Sequence, residues 1–157
     1  CTFSNHDLSI INVSACMFNF FNLSIAKLGR TGFKDCTFSH CKLLCLHFAD
    51  CHEFLFTVGF DNCQLNLSTF YKRKLKKIIF KNCSLHEVEF TEADLTNAIF
   101  DNCDLLRAAF KSSVLEKADF RTSFNYSIDP EANHIKKAKF SSAGLAGLLD
   151  KYDIEIE

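Results

Sequence analysis

A large hydrophobic residue stands at every fifth position through the centre of this chain. A period of five fits neither the 3.6-residue turn of an α-helix nor the two-residue alternation of a flat strand. It requires a backbone that turns inward once per five residues, so that four units close a square of twenty residues. From residue 60 the series alternates Phe and Leu without exception, and its members are Phe60, Leu65, Phe70, Leu75, Phe80, Leu85, Phe90, Leu95, Phe100, Leu105, Phe110, Leu115 and Phe120.

Near-identical hexapeptides recur at a spacing of twenty residues. FDNCQL, FKNCSL and FDNCDL begin at Phe60, Phe80 and Phe100. A square coil would place these three segments one above another on a single face. Each layer of the core would then hold a similar side-chain volume, as close packing requires.

A second inward position is predicted two residues before each large hydrophobic residue. It is occupied by small or apolar residues in every unit of this region except one, which has Arg73. The same five-residue period runs upstream in another phase, from Phe3 to Phe48. The small residues that we expect to face the core are Cys63, Cys83, Ala93, Ala98, Cys103, Ala108 and Ala118.

Individual units resemble a known repeat. Residues 93–97, 98–102 and 118–122 read ADLTN, AIFDN and ADFRT, which is similar to the A(D/N)LXX unit of pentapeptide-repeat proteins. The resemblance implies an all-β fold, a right-handed quadrilateral β-helix. In such a coil, stacked turns pair their main chains at a spacing of about 4.8 Å, and only the two ends need capping.

We predict that the repeat covers residues 1–123, with a phase break at about residues 49–57. The break is visible because Phe48 and Phe60 are twelve residues apart instead of ten. Such an insertion is either a short bulge without a role or a functional element, and the bulge is the simpler interpretation. Residues 124–157 are expected to form a loop with Asp129-Pro130, a last repeat unit at Ala138 and a C-terminal cap.

The cap is predicted to contain a short helix and a strand. Ser141 or Ser142 can N-cap a helix from Ala143 to about Asp150, and residues 152–157 alternate like a strand. In the similar quinolone-resistance members of the family, a C-terminal helix also builds a homodimer. The residues that we assign to cap or dimer contacts are Leu145, Leu148, Leu149, Ile154 and Ile156.

The nine cysteines allow three interpretations. Cys and His residues crowd between Cys36 and His52, yet they lack the Cys-x₂-Cys or His-x₃-His spacing of a zinc site. Stacked thiols could also form disulfides, since neighbouring layers fall within bonding range. Most of the cysteines occupy the small inward position, so we favour small core residues, reduced in the cytoplasm. We expect no metal site and no cofactor.

Charge is balanced overall but banded along the sequence. The net charge is -1, which gives no reason to expect direct nucleic-acid binding. A basic stretch, Lys72 to Lys81, precedes an acidic one, Glu87 to Asp104. Adjacent coils would bring the two together, either as a basic ridge for a phosphate or an acidic partner, or as exposed ion pairs. We favour ion pairs.

No constellation for catalysis is visible, and no catalytic residue is predicted. No nucleophile has a convincing base, the chain has only five glycines and no Gly-rich phosphate loop, and no run of about 18 apolar residues indicates a membrane span. We expect a non-catalytic module whose rigid faces bind a protein partner of unknown identity. The alternative implied by the resemblance is a DNA mimic that binds a type II topoisomerase such as gyrase and protects it from fluoroquinolones.

Overall fold

The chain coils into a parallel β-solenoid, which the computed structural model describes for residues 1–157. Every strand pairs with strands one coil away: β1 and β2 pair with β3, followed by β4, β5 and β6 in order. The predicted all-β solenoid is therefore confirmed. The strands are β1 (Asn12–Ser14), β2 (Met17–Asn19), β3 (Gly32–Ser39), β4 (Phe56–Asp61), β5 (Ile79–Lys81) and β6 (Ile99–Asp101).

The register between coils is the twenty-residue repeat of the sequence. Phe80 of β5 pairs with Phe100 of β6, and isolated bridges continue the same register on the other faces, as in Lys74 with Asp94 and Asp94 with Val114. Each coil therefore covers the main-chain edge of the one before it, which limits exposed edges to the two ends and to places where the register fails.

The core is a set of stacked aromatic columns. The rings of Phe60 and Phe80 are parallel with centroids 5.3 Å apart, and those of Phe80 and Phe100 are 5.1 Å apart. Phe70 and Phe90 approach Phe80 edge-on from the neighbouring column. All thirteen residues of the Phe and Leu series from Phe60 to Phe120 are buried, as are the seven small inward residues.

The corners of the square explain why the period is five. Non-glycine residues adopt a positive φ at every fifth position from Asn5 to Cys45 and again from Asn62 to Lys117. This left-handed conformation turns the chain by one corner, and it strains any residue that carries a Cβ, with Asn among the least affected. Several corners accordingly carry Asn, while Ile10 and Ile25 occupy others.

The predicted phase break is a stretch in which the corners are missing. No residue between Cys45 and Asn62 has a positive φ. A short 3₁₀ helix, Phe48–Asp50, precedes a loop, and β4 then runs straight. The register between β3 and β4 shifts from Phe33 opposite Phe56 to Cys36 opposite Val58.

The C-terminal cap contains the predicted short helix, but as a 3₁₀ helix, Ser142–Leu148, followed by a second one, Asp150–Tyr152. The side chain of Ser141 caps it by accepting a hydrogen bond from the Gly144 amide. The helix packs closely on Tyr126, and a Cβ on Gly144 would overlap that ring. Two glycines also disfavour a longer α-helix. No helix of this structure is long and apolar enough to cross a bilayer.

The predicted tail strand is wrong. Residues 153–157 have no regular secondary structure and pair with no other strand. Their alternation of acidic and apolar residues is typical of a strand, but a strand also needs main-chain hydrogen bonds to a neighbour, and residues 154–157 make none.

Candidate interaction surfaces

The Cys and His residues between Cys36 and His52 point in different directions. Cys36, Cys41 and Cys51 are buried, while His40 and His47 are exposed. No group of three or more His, Cys, Asp or Glu residues is placed to hold a metal ion. All nine cysteines are free thiols.

The small inward residues have a hydrogen-bonding role that the sequence analysis missed. The thiol of Cys103 donates to the carbonyl of Phe80 in the coil below, at 3.3 Å. The hydroxyl of Ser113 bonds Phe90 in the same way, at 2.9 Å. Cys and Ser thus add a hydrogen bond between coils that Ala cannot make, and the mixture of these residue types at one repeat position was the available signal.

A hydrogen-bonded pair of polar side chains, His86 and Asp104, lies on one face and was not predicted from the sequence. His86 Nε2 lies 2.7 Å from a carboxylate oxygen of Asp104, whose other oxygen accepts a bond from the Asn125 amide at 2.9 Å. Burial alone would raise the pKa of Asp104, but the hydrogen bonds from Asn125 and His86 outweigh it and lower that pKa. Ser84, which pairs with Asp104 in the ladder, donates its hydroxyl to Asn66 Oδ1 at 2.7 Å, so these polar groups form one network that orders the face.

The charged bands meet as expected for stacked coils. Lys72 pairs with Glu92 and Lys76 with Asp94, each at 3.4 Å. Both pairs are largely exposed, so each contributes at most about 1 kcal/mol. Lys74 and Lys77 lie between and beside these pairs and form no ion pair themselves.

The phase break and the anomalous Arg73 belong to one site, which we call the break corner (residues 51–56 with Arg73). The Arg73 guanidinium donates to the carbonyls of Cys51 at 2.9 Å and His52 at 3.0 Å. Burial lowers the pKa of this guanidinium, which still stays charged at neutral pH. The two carbonyl oxygens and the ring of Phe56, 4.2 Å away, surround the charge, whereas the buried Arg73 Nε has no hydrogen-bond partner.

The loop of the break corner presents one aromatic side chain to solvent. Phe54 is 78% exposed, more than any other large hydrophobic residue in the chain. The loop is held in shape from within, because His52 Nδ1 accepts bonds from the amides of Phe54 and Leu55, at 3.2 and 3.3 Å. An exposed aromatic side chain on a fixed loop is a typical anchor for a protein partner.

The cap carries a second apolar surface. Leu148 packs against the core, whereas Leu145, Leu149, Ile154 and Ile156 are exposed. Four of the five residues assigned to cap or dimer contacts are therefore available to another molecule, and the remaining one holds the helix in place.

Comparison with known proteins agrees with this architecture. A family model described as "Pentapeptide repeat region" matches residues 53–127. No curated protein sequence matches the chain significantly. The solved structure of a trypsin-treated variant of QnrB1, described as a plasmid-mediated fluoroquinolone resistance protein, is 16% identical and has a TM-score of 0.72; the alignment covers 100% of this chain and 86% of that one.

A second solved structure has the same fold, with a lower sequence identity and a lower TM-score. HetL, described as a pentapeptide repeat protein involved in heterocyst differentiation regulation in the cyanobacterium Nostoc sp. strain PCC 7120, is 12% identical with a TM-score of 0.52; the alignment covers 88% of each chain. At these identities the likeness concerns the fold. Together with the five-residue corners, the family match identifies residues 53–127 as a pentapeptide repeat region.

Proposed function

We propose that the chain is a non-catalytic protein-binding module that recognises its partner through its outer faces. The observation that carries this proposal is the filled interior: from Phe60 to Phe120 every large inward residue is buried. Between Phe60 and Phe120 the interior therefore leaves no deep cavity for a substrate, and recognition there depends on side chains held in rigid rows.

The nine thiols favour a reducing compartment for this module. None of them is paired in a disulfide, and proteins with many free cysteines persist mainly where thiols stay reduced. We therefore propose that the module works in the cytoplasm.

A pull-down with surface variants tests the proposal. The full chain, immobilised and exposed to an extract of the source cell, should retain one protein in stoichiometric amount. Substitutions on one face that leave the melting temperature unchanged should abolish that retention, while equivalent substitutions on the opposite face should not. If every surface variant retained the same proteins as the unmodified chain, the proposal would be contradicted.

The alternative is a topoisomerase-binding module that protects gyrase from fluoroquinolones. Its support is the whole-length similarity in fold to QnrB1. A DNA mimic should present uncompensated negative charge, whereas Glu92 and Asp94 are neutralised by lysines here. A supercoiling assay with gyrase and a fluoroquinolone decides: the absence of protection at micromolar protein would remove this alternative.

We further propose that the apolar surface of the cap supports a homodimer. Leu145 and Leu149 are both exposed on the cap, and water-exposed leucines gain from burial against a second copy. Sedimentation of the intact chain and of a Leu145→Asp/Leu149→Asp variant tests this proposal. A dimer that becomes monomeric supports it, and a monomer in both cases refutes it.

A further inference from the structure

The main-chain ladder between coils is interrupted beside Lys74. One coil later at the same position, the Asp94 amide donates to Arg73 and the Asp94 carbonyl accepts from Leu75. Val114 and His134 repeat both bonds in the next two coils. In contrast, the amide and the carbonyl of Lys74 make no hydrogen bond within the chain, and neither does the carbonyl of Lys76.

The phase break creates this free edge. Residues 71–78 make no backbone hydrogen bond to residues 51–58, because the loop of the break corner leaves the ladder there. A groove of about 260 Å³ opens between the two segments. Its lining includes Phe56, Val58, Lys74, Lys76 and Lys77. The edge is therefore accessible, with lysines along the Lys74–Lys77 segment and apolar side chains on the facing segment.

The tail of the same chain has complementary features. Residues 153–157 read Asp-Ile-Glu-Ile-Glu, and the whole segment is exposed. Its alternation would place the three carboxylates on one face of a strand and the two isoleucines on the other. At the free edge, Lys74 and Lys76 point outward and Leu75 points into the core. A tail strand beside them would set acid next to lysine and Ile next to Leu, both favourable cross-strand pairs.

We propose that the tail of one copy, residues 153–157, adds as a β-strand to the Lys74–Lys76 edge of a second copy. Strand addition of this kind supplies main-chain hydrogen bonds for affinity and side-chain contacts for register. Lys74 and Lys77 have no intramolecular ion pair and are free for the incoming carboxylates. The contact joins two different surfaces, so it is heterologous. This proposed contact between two copies does not depend on the function proposed above.

The tail of the same copy does not reach this edge in a useful way. Lys151, just before the tail, is bound to Asp129 and Glu131 beside the last coil. The register from Lys74 to His134 spans three coils, about 14 Å at the usual strand spacing. Five fully extended residues span about 17 Å. Crossing three coils would therefore use almost the whole tail, and too few residues would remain to lie along the groove.

Peptide binding to the full chain tests the contact directly. The probe is a fluorescent, end-blocked peptide of residues 150–157, measured by anisotropy at low salt. We expect saturable binding that weakens with added salt. The Lys74→Glu/Lys77→Glu variant should bind at least about tenfold more weakly, because two attractions become repulsions. A probe with its four carboxylates changed to amides is the matched control and should lose affinity similarly.

Hydrogen exchange localises the same contact. Peptide at saturation should slow exchange of the Lys74 amide, which is free in the isolated chain, and leave that of Asp94 unchanged. The absence of saturable binding, equal affinity for the chain and its Lys74→Glu/Lys77→Glu variant, or an unaltered Lys74 amide would each overturn the proposal.

Charge exchange between two variants tests self-association of the whole chain. The Lys74→Glu/Lys77→Glu variant and a Glu155→Lys/Glu157→Lys variant should each lose the concentration-dependent species that sediments faster in the unmodified chain. Both pairs of changes combined in one chain should restore it, since the reversed charges are again complementary. Loss of association in the Leu145→Asp/Leu149→Asp variant, with no effect of either charge variant, would assign it to the cap and refute the strand contact.

Discussion

The guanidinium of Arg73 lies 4.2 Å from the centre of the Phe56 ring. The two residues come from adjacent coils, at the point where the main-chain ladder between those coils is absent. A cation over an aromatic face is stabilising, more so when both groups are desolvated. Together with the bonds to Cys51 and His52, the Arg73 side chain replaces the missing ladder.

Replacing Arg73 with Ala should therefore destabilise the fold by about 2–4 kcal/mol, since it leaves buried carbonyls unpaired and creates a cavity. Urea unfolding monitored by circular dichroism measures the change. Lys74→Ala, at the exposed neighbouring position, is the matched control and should change stability by less than about 0.5 kcal/mol. Equal effects of the two substitutions would mean that Arg73 does not hold the break corner.

The sequence was sufficient to predict the coil and its inward positions, because one residue in five carries the constraint and thirteen consecutive units obey it. It also marked the phase break and Arg73 separately. Their connection could not be predicted, because it depends on where the loop backbone turns once the corners are missing. The free edge at Lys74 has the same origin: it is a property of hydrogen bonds that are absent, and no residue type signals it.

The corners predict a stabilising substitution. Ile25 adopts φ 62° and is 60% exposed. Its β-branched side chain is therefore strained in the left-handed region, and burial of that side chain offsets little of the strain. Ile25→Asn should stabilise the protein by about 0.5–1 kcal/mol, because Asn tolerates this conformation better. Thermal unfolding measures the gain.

The control for this prediction is Ile99→Asn. Ile99 is also exposed, but it lies in strand β6 and has no positive φ. The exchange should therefore give no gain there and a small loss of strand propensity. A similar gain at both sites would show that lower surface hydrophobicity, and not relief of corner strain, is the cause.

The aromatic columns predict a steep contrast between buried and exposed phenylalanines. Phe80→Ala should cost about 3–5 kcal/mol, since Phe80 is fully buried and its removal opens a cavity between two stacked rings. Phe54→Ala, at the exposed tip of the break corner, should cost less than about 0.5 kcal/mol. Chemical unfolding of both variants provides the comparison, and similar losses would contradict the stacked core.

The inward thiols predict that Ser replaces Cys at low cost. Cys103→Ser should change stability by less than about 1 kcal/mol, because the hydroxyl can donate to the Phe80 carbonyl as the thiol does. Ser123 already makes this bond to Phe100, at 2.6 Å. Cys103→Val, similar in size but without a donor, is the matched control and should be the more destabilising change. The opposite order in urea unfolding would exclude a role for the thiol as donor.

The buried thiols also predict a loss of stability at alkaline pH. Burial, opposed by the charge of Arg73, raises the pKa of Cys51 to about 12, and the neighbouring Cys103 thiol together with burial raises the pKa of Cys83 to about 12. Above the ordinary value of 9.0, the unfolded chain loses these protons while the folded chain keeps them. The free energy of unfolding should therefore be unaffected by these thiols below pH 9 and fall between pH 9 and 12.

Each such thiol contributes a slope of about 1.4 kcal/mol per pH unit in that window. Urea unfolding with a reducing agent, repeated from pH 8 to 10.5, measures it. Cys51→Ala should make the decline shallower by one such increment, because Ala suits the small inward position and has no proton to lose. Cys16→Ala, at an exposed position, should leave the decline unchanged. Identical pH profiles for the parent chain and Cys51→Ala would show that the thiol ionises as readily in the folded protein as in the unfolded chain.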